Sequence, residues 1–229
     1  MNTLRRQNFR LFHRLRVCWA DVDMQKIVFN AHYLTYFDTA MGDYWRALAL
    51  PYDSTLQSLG GDLYVKKATI EYHASAQMDD QLEVALQCQS IGTSSMTFTG
   101  AIFRGEDCLI SGELIYVFAD PNTQTSKPLP AALRDILLAF EAREPMITVE
   151  VGAWKTLQTE ASQVRAEVFV KEQRIPIELE QDAADATAVH AVARNRLGVA
   201  VATGRLYNTH PVWAEWVAWP LTGCCGAPN

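Results

Sequence analysis

The sequence predicts an α+β architecture: an antiparallel sheet wrapped around a long central helix, followed by a second, incomplete α/β unit. Three observations carry this expectation. One short alternating segment is followed by one long stretch at helical spacing, and then by four alternating segments separated by turn-like sequences. An antiparallel sheet with one face to cover, and one strongly apolar helix to cover it, is best satisfied by enclosing that helix.

Taken in order, His13 to Trp19 alternates, with Leu15, Val17 and Trp19 on one face of a half-buried strand. A turn with two carboxylates, Asp21 and Asp23, comes next. From Ala31 the residues Tyr33, Leu34, Phe37, Met41, Tyr44, Trp45 and Leu48 fall at helical spacing, and Pro51 closes the segment. Strands are expected over Tyr64 to His73, Gln81 to Ile91, Ser94 to Arg104 and Asp107 to Ala119, divided by QMDD, GTSS and RGED. The polar stretch Asp120 to Pro130 leads into a helix at about Ala131 to Arg143. This places a first domain over 1–143 and a second segment over 144–229. The second has a strand at Val149 to Val151, a helix at Thr156 to Lys171, and strands at Ala188 to Ala193 and Gly198 to Leu206, too few elements to close a domain.

With 229 residues, 49% of them hydrophobic and 20% charged, the chain has an ordinary globular composition and can bury a sizeable core. A formal net charge of -6 without a long basic run argues against nucleic-acid binding. The positive start is not followed by a signal-length apolar segment and no later run approaches a membrane span, so a cytoplasmic protein is expected. Cys18, Cys88, Cys108, Cys224 and Cys225 have neither metal-ligand spacing nor the density of a disulfide framework, which leaves buried free thiols as the expectation.

The segment RVCWADVDMQKIVFNAHYLTYFDTAMGDYW, from Arg16 to Trp45, resembles the hot-dog-fold thioesterases related to 4-hydroxybenzoyl-CoA thioesterase and the bacterial long-chain acyl-CoA thioesterases. KKATIEYHASAQMDDQLEV, IGTSSMTF and VFADPNTQTSKPLP extend the resemblance in the right order over about half of the chain. It implies hydrolysis of an acyl-CoA thioester to free acid and CoA, with Asp23 as nucleophile or general base. Chemically, a carboxylate just before a long helix stands beside unpaired backbone N–H groups that can hold an oxyanion, here expected at Asn30 and Ala31. The thiolate leaving group needs little protonation, and no metal or bound cofactor is required. A carboxylate in this place is otherwise an ordinary turn or cap residue, the reading given to Asp21.

Around that centre, His32 and Tyr33 on the first helical turn are candidates for positioning substrate. Ser94 and Ser95 fall where the family carries a polar residue facing a neighbouring subunit's site, or form a tight hairpin. Lys66, Lys67 and Arg104 are candidates for the CoA phosphates. The resemblance implies a homodimer or homotetramer. Relatives often have a glycine where this chain has Gln25 and Lys26, and an arginine where it has Met41. A non-catalytic acyl-CoA or acyl-carrier binding module would use the same groove.

From about Val149 to Leu206, VFVKEQ, the D-x-x-D-A-x-A-x-H run at Asp182 to His190, and Gly204 to Leu206 resemble the N-terminal half of a GCN5-related N-acetyltransferase. The Gly-rich pyrophosphate loop of that family is missing, so acetyltransferase activity is not expected and a bifunctional enzyme would need an intact frame. The tail from about residue 208 holds three of the six tryptophans and one charged residue, Glu215. Codons compatible with it, read one frame over from His210, permit a Gly-rich strand and loop. A frameshift near Asn208 is therefore expected, against a reading in which Trp213, Trp216 and Trp219 line one face of a helix.

Overall fold

A computed structural model of the chain describes residues 4–176, 183–210 and 213–218, with backbone alone at 207–210 and 213–218. The chain divides into two compact units, Met1–Glu144 and Pro145–Asn229. Among the described residues no helix is long and apolar enough to cross a membrane.

The first unit runs β1 (Leu11–Arg16), α1 (His32–Ala47), α2 (Tyr52–Leu59), β2 (Asp62–Tyr72), β3 (Gln81–Ile91), β4 (Ser95–Arg104), β5 (Asp107–Ala119) and α3 (Ala131–Glu141). Its five strands pair antiparallel in the order β1-β3-β4-β5-β2, so β1 and β2 are the edges. One face receives α1, whose Phe37, Ala40 and Tyr44 are fully buried. The Phe37 ring seats over Gly100 and Gly112, which face each other across β4 and β5. The Tyr44 ring meets Phe98 and Phe140 edge-on, while its hydroxyl donates to Glu141 at 2.6 Å. The Cys88 N–H, beside a bulge in β3, donates to the same carboxylate at 2.8 Å. Burial and the adjacent Glu141 push the Cys88 thiol up to about 12.

The opposite face of the sheet is capped at one end by the chain's own start. Phe9 packs with Ala85, Ala101 and Phe103, and Arg6 lies over the Phe12 ring at 4.7 Å. Glu83 accepts from both Arg6 and Arg14, and the Arg6 hydrogen bond holds its carboxyl below the usual range.

Three differences from the sequence expectations have local causes. Trp19 does not continue the first strand; it lies in a 3-10 turn and is 80% exposed. The turn closes because the Asp21 carboxylate accepts the Cys18 N–H at 2.7 Å while the Asp21 N–H donates back to the Cys18 carbonyl. Cys18 is accordingly exposed, whereas Cys88 is buried. The helix α2 has no counterpart in the sequence reading: Pro51 ends one helical segment and is also the N-cap of the next, which Gly60 stops at φ 71°.

The second unit is a four-stranded antiparallel sheet, β6 (Ile147–Ala153), β7 (Val189–Asn195), β8 (Ala200–His210) and β9 (Trp213–Ala218), in that order. The helix α4 (Trp154–Arg165), continued by a wider turn over Ala166–Glu172, buries Leu157 and Ala161 against Val192. Asp185, 3% exposed, accepts from Arg165 at 2.8 Å and Arg205 at 2.6 Å, and the His190 ring meets the Asp185 carbonyl at 2.9 Å. Within the D-x-x-D-A-x-A-x-H run these two residues therefore make structural contacts; Asp182 lies outside the described residues. The helical reading of the tail is corrected. Trp213 and Trp216 belong to β9, which pairs with β8, and Trp219, Cys224 and Cys225 lie outside the described residues.

Candidate active site

Between β1 and α1 the chain forms a narrow hairpin. The Asp23 N–H donates to the Ile27 carbonyl, the Lys26 N–H to the Asp23 carbonyl and the Phe29 N–H to the Asp21 carbonyl, each at 2.9 Å, and Val22 bridges Val28. Because Val22 is extended, Asp21 and Asp23 project from the same side of this ribbon. Lys26 closes it at φ 64°, the left-handed conformation that glycine adopts without strain. The departure from the family's glycine thus keeps the turn and places a side chain in it.

Asp23 is partly buried. Its Oδ1 accepts the Gln25 N–H at 2.7 Å, an Asx turn, and no described residue binds its other oxygen. The returning limb leads directly into α1. There the His32 and Leu34 N–H groups are taken by Phe29 and Ala31 carbonyls, and Ala31 offers no side-chain cap. The N–H groups of Asn30 and Ala31 have no acceptor among the described residues. A carboxylate with a free oxygen and two unpaired backbone donors therefore share one short segment.

The hairpin is held by the strap between β2 and β3. The Val28 N–H donates to the Ala76 carbonyl, and Ile27 bridges Gln77. The Ala76 N–H donates to the Tyr33 hydroxyl at 3.1 Å. Tyr33, 2% exposed and stacked edge-on against Tyr36 and Tyr72, is thus a core residue that pins the strap and not a surface for substrate. Burial raises its hydroxyl pKa. The Tyr72 hydroxyl reaches the Asn30 carbonyl at 3.3 Å. Trp19, Met24, Phe29 and Tyr72 leave an exposed apolar surface around the loop.

The remaining candidates divide. His32 has its Nδ1 3.6 Å from Asp21 Oδ1. Lys67 is paired with Glu113 at 3.0 Å and Arg104 with Asp80 at 2.8 Å, while Lys66 stands at the β2 bulge. Ser94 lies in the β3–β4 turn and Ser95 begins β4, with the Gly92 N–H on the Ser95 carbonyl. Ser95 pairs with Val117, near the start of β2, whereas Tyr72 at the end of β2 is beside Asn30. Within one chain the two serines and Asp23 therefore lie at opposite ends of the sheet. Sequence reading missed the Asp21, His32 and Tyr36 grouping, although the i, i+4 spacing of His32 and Tyr36 was available as a signal.

Residues 25–111 match the family model of the thioesterase superfamily, a range that begins just past Asp23. The acyl-CoA thioester hydrolase YbgC of Escherichia coli O6:H1 is 28% identical over 123 residues, covering 52% of this chain and 89% of that protein. A candidate esterase of Aquifex aeolicus is 30% identical over 99 residues, 43% of this chain and 76% of its own length. Among solved structures, the PA5185 protein of Pseudomonas aeruginosa superposes with a TM-score of 0.52 at 25% identity, over 59% of this chain and 94% of that one. The sequence match, the coverage of these relatives and the helix-enclosing sheet agree, and the chain belongs to the thioesterase superfamily.

Proposed function

We propose that residues 1–144 form an acyl-CoA thioester hydrolase with Asp23 as its reactive carboxylate. The observation that carries this reading is the free Asp23 oxygen in the same short segment as the unpaired Asn30 and Ala31 N–H groups, in a chain of this superfamily. Asp23 attacks the thioester carbonyl or takes a proton from the attacking water, and the two N–H groups receive the oxyanion. Water supplies the hydroxyl of the product acid, and the sulfur leaves as CoA.

Lys66, without a paired carboxylate in the described structure, is the better placed of the basic candidates for the CoA phosphates, since Lys67 and Arg104 already have acidic partners. The long β2 edge and the exposed aromatics around the loop support assembly as a homodimer or homotetramer, in which Ser94 or Ser95 of one copy would serve the site of another. Equilibrium sedimentation tests this, with a monomer at micromolar concentration and full activity as the contrary result.

The test of function is hydrolysis across a panel of acyl-CoA esters by wild type and Asp23→Asn. Loss of at least about 100-fold in kcat/KM in the variant, with the fold intact, supports the assignment. The Asx turn favours a second reading, in which Asp23 only shapes the loop and acyl-CoA is bound without turnover. Binding of CoA esters with no hydrolysis of any of them selects that reading. For the second unit we infer an acetyltransferase-like half-domain without acetyl transfer, and a frame lost near Asn208. An unbroken frame carrying the Trp-rich tail in independent isolates of the gene is the result against the latter.

A further inference from the structure

On the helix that follows the Asp23 hairpin, two buried polar atoms, His32 Nδ1 and Tyr36 Oη, have no partner in full hydrogen-bond geometry, although the Asp21 carboxylate is close enough to Tyr36 to act on its hydroxyl by charge and by hydrogen bonding. Buried groups of this kind are uncommon in folded proteins and call for an explanation. They lie one helical turn apart on the same face of α1, and both face Asp21. His32 Nδ1 is 3.6 Å from Asp21 Oδ1, just beyond hydrogen-bond range. Burial, followed by the Asp21 carboxylate, raises the Tyr36 hydroxyl pKa, and Tyr36 is 7% exposed. The other Asp21 oxygen is fixed by the Cys18 N–H. The His32 ring is further held edge-on against Phe29 at 5.7 Å.

Since Nδ1 is sealed from solvent while the His32 side chain is 34% exposed, the exposed part of the ring is the edge opposite Asp21, which includes Nε2. Asp21 and Asp23 share one side of the hairpin, about 7 Å apart along it. An imidazole with one nitrogen toward a carboxylate and the other toward solvent has the arrangement of a proton donor fixed by an acid.

We propose that His32, positioned by Asp21 and Tyr36, gives its Nε2 proton to the departing CoA sulfur. The inference rests on the reading of this site as a CoA thioester hydrolase. As the tetrahedral intermediate collapses, the C–S bond breaks and its electron pair passes to sulfur. The proton on Nε2 of the His32 imidazolium moves to that sulfur, and the ring is left neutral with its Nδ1–H toward Asp21. The ring is recharged from solvent, which in turn receives the proton released by the attacking water. A thiolate can leave unprotonated, but with a thiol pKa of about 8.5, as for cysteine, a placed acid accelerates its departure. Asp21 touches no substrate in this scheme and acts through His32.

The test compares two thioesters of the acid that wild type hydrolyses best: its CoA ester, and its 4-nitrothiophenyl ester, whose thiolate needs no proton. His32→Gln is expected to lose about 100-fold in kcat/KM on the CoA ester and less than about threefold on the aryl ester. Asp21→Asn, which keeps an oxygen for the Cys18 N–H, is expected to follow the same split. Equal losses on both esters, or no loss on either, overturn the proposal while leaving Asp23 in place. A wild type inactive on every CoA ester, or a fully active Asp23→Asn, overturns the reading beneath it and the proposal with it.

Discussion

Phe37 lies directly on Gly100: a Cβ at Gly100 would stand 2.4 Å from the ring carbon Cε1, far inside contact distance. Gly112, its neighbour across the ladder, leaves 3.1 Å to the other side of the same ring. The absence of a side chain at these positions is what lets α1 approach the sheet. Gly100→Ala is expected to cost about 1–3 kcal/mol, because the fully buried ring has nowhere to move. Gly112→Ala should cost less. Combining Gly100→Ala with Phe37→Leu should recover part of the loss, read as the coupling in urea midpoints.

Lys26 offers a test of the active-site turn. At φ 64° it tolerates glycine, so Lys26→Gly should leave stability within about 1 kcal/mol of wild type and preserve hydrolysis. Lys26→Val should distort the hairpin that carries Asp23, since a β-branched residue is strongly disfavoured there. Circular dichroism melts and kcat/KM measured together distinguish a local change from unfolding.

Glu141 makes stability depend on pH. Burial raises its carboxyl pKa, and the hydrogen bonds from Tyr44 and the Cys88 N–H oppose that shift without cancelling it. The folded chain therefore holds this proton more tightly than the unfolded one. The contribution is complete below the unfolded value of about 4.3 and is lost as pH rises through the folded value. Glu141→Gln should flatten that limb of the stability curve, while Tyr44→Phe should cost about 1–3 kcal/mol by removing a donor from a partly buried carboxylate.

Glu83 works in the opposite sense. Its carboxyl is held down, first by the Arg6 hydrogen bond, so its contribution is present above the unfolded value of about 4.3 and lost as pH falls through the folded one. Arg6→Ala should reduce the steepness of acid unfolding, measured as the change in denaturant midpoint between neutral and acidic buffer.

A chain ending at Glu144 should stay folded and retain hydrolysis. The first unit holds its own last helix: Tyr44 bonds Glu141, and Arg10 donates to the Phe140 and Glu144 carbonyls at 2.6 and 3.1 Å. Gel filtration and kcat/KM check it, and loss of activity would show that the second unit supports the first.

The parts of this fold that were legible in the sequence are those in which one period governs a whole segment. Gln81–Ile91 buries Leu82, Val84, Leu86 and Cys88 at every second position, Asp107–Ala119 does the same with Leu114, Tyr116 and Phe118, and the observed bounds of both coincide with the expected ones. The α1 stripe was equally plain because Phe37, Met41 and Tyr44 repeat at helical spacing. Trp19 misled because alternation cannot register a side chain that closes a turn, as Asp21 does on the Cys18 N–H. Pro51 misled in another way, since proline ends one helix and starts another with equal ease. At the site, the order of Asp23, Asn30 and Ala31 was visible, but the proximity of Asp21 to His32 depends on a ladder between residues 21 and 29. Tyr33 looked like a helix-face contact because sequence cannot show that the Ala76 N–H claims its hydroxyl.

The packing of Phe9 against Ala85, Ala101 and Phe103 also bears on the proposed assembly of copies. Ala101 lies on the side of the sheet away from Phe37, so Arg6 and Phe9 occupy part of the surface on which two sheets would otherwise stack back to back. At that end, a second copy could dock only by peeling the amino terminus away, together with the Arg6 and Glu83 contact. Side-by-side joining through the exposed β2 edge encounters no such obstacle, because the Asp62–Tyr72 strand lies at the other margin of the sheet. In the homodimer or homotetramer proposed above, residues 4–10 would thus act as a built-in spacer that favours edge contacts over back-to-back stacking.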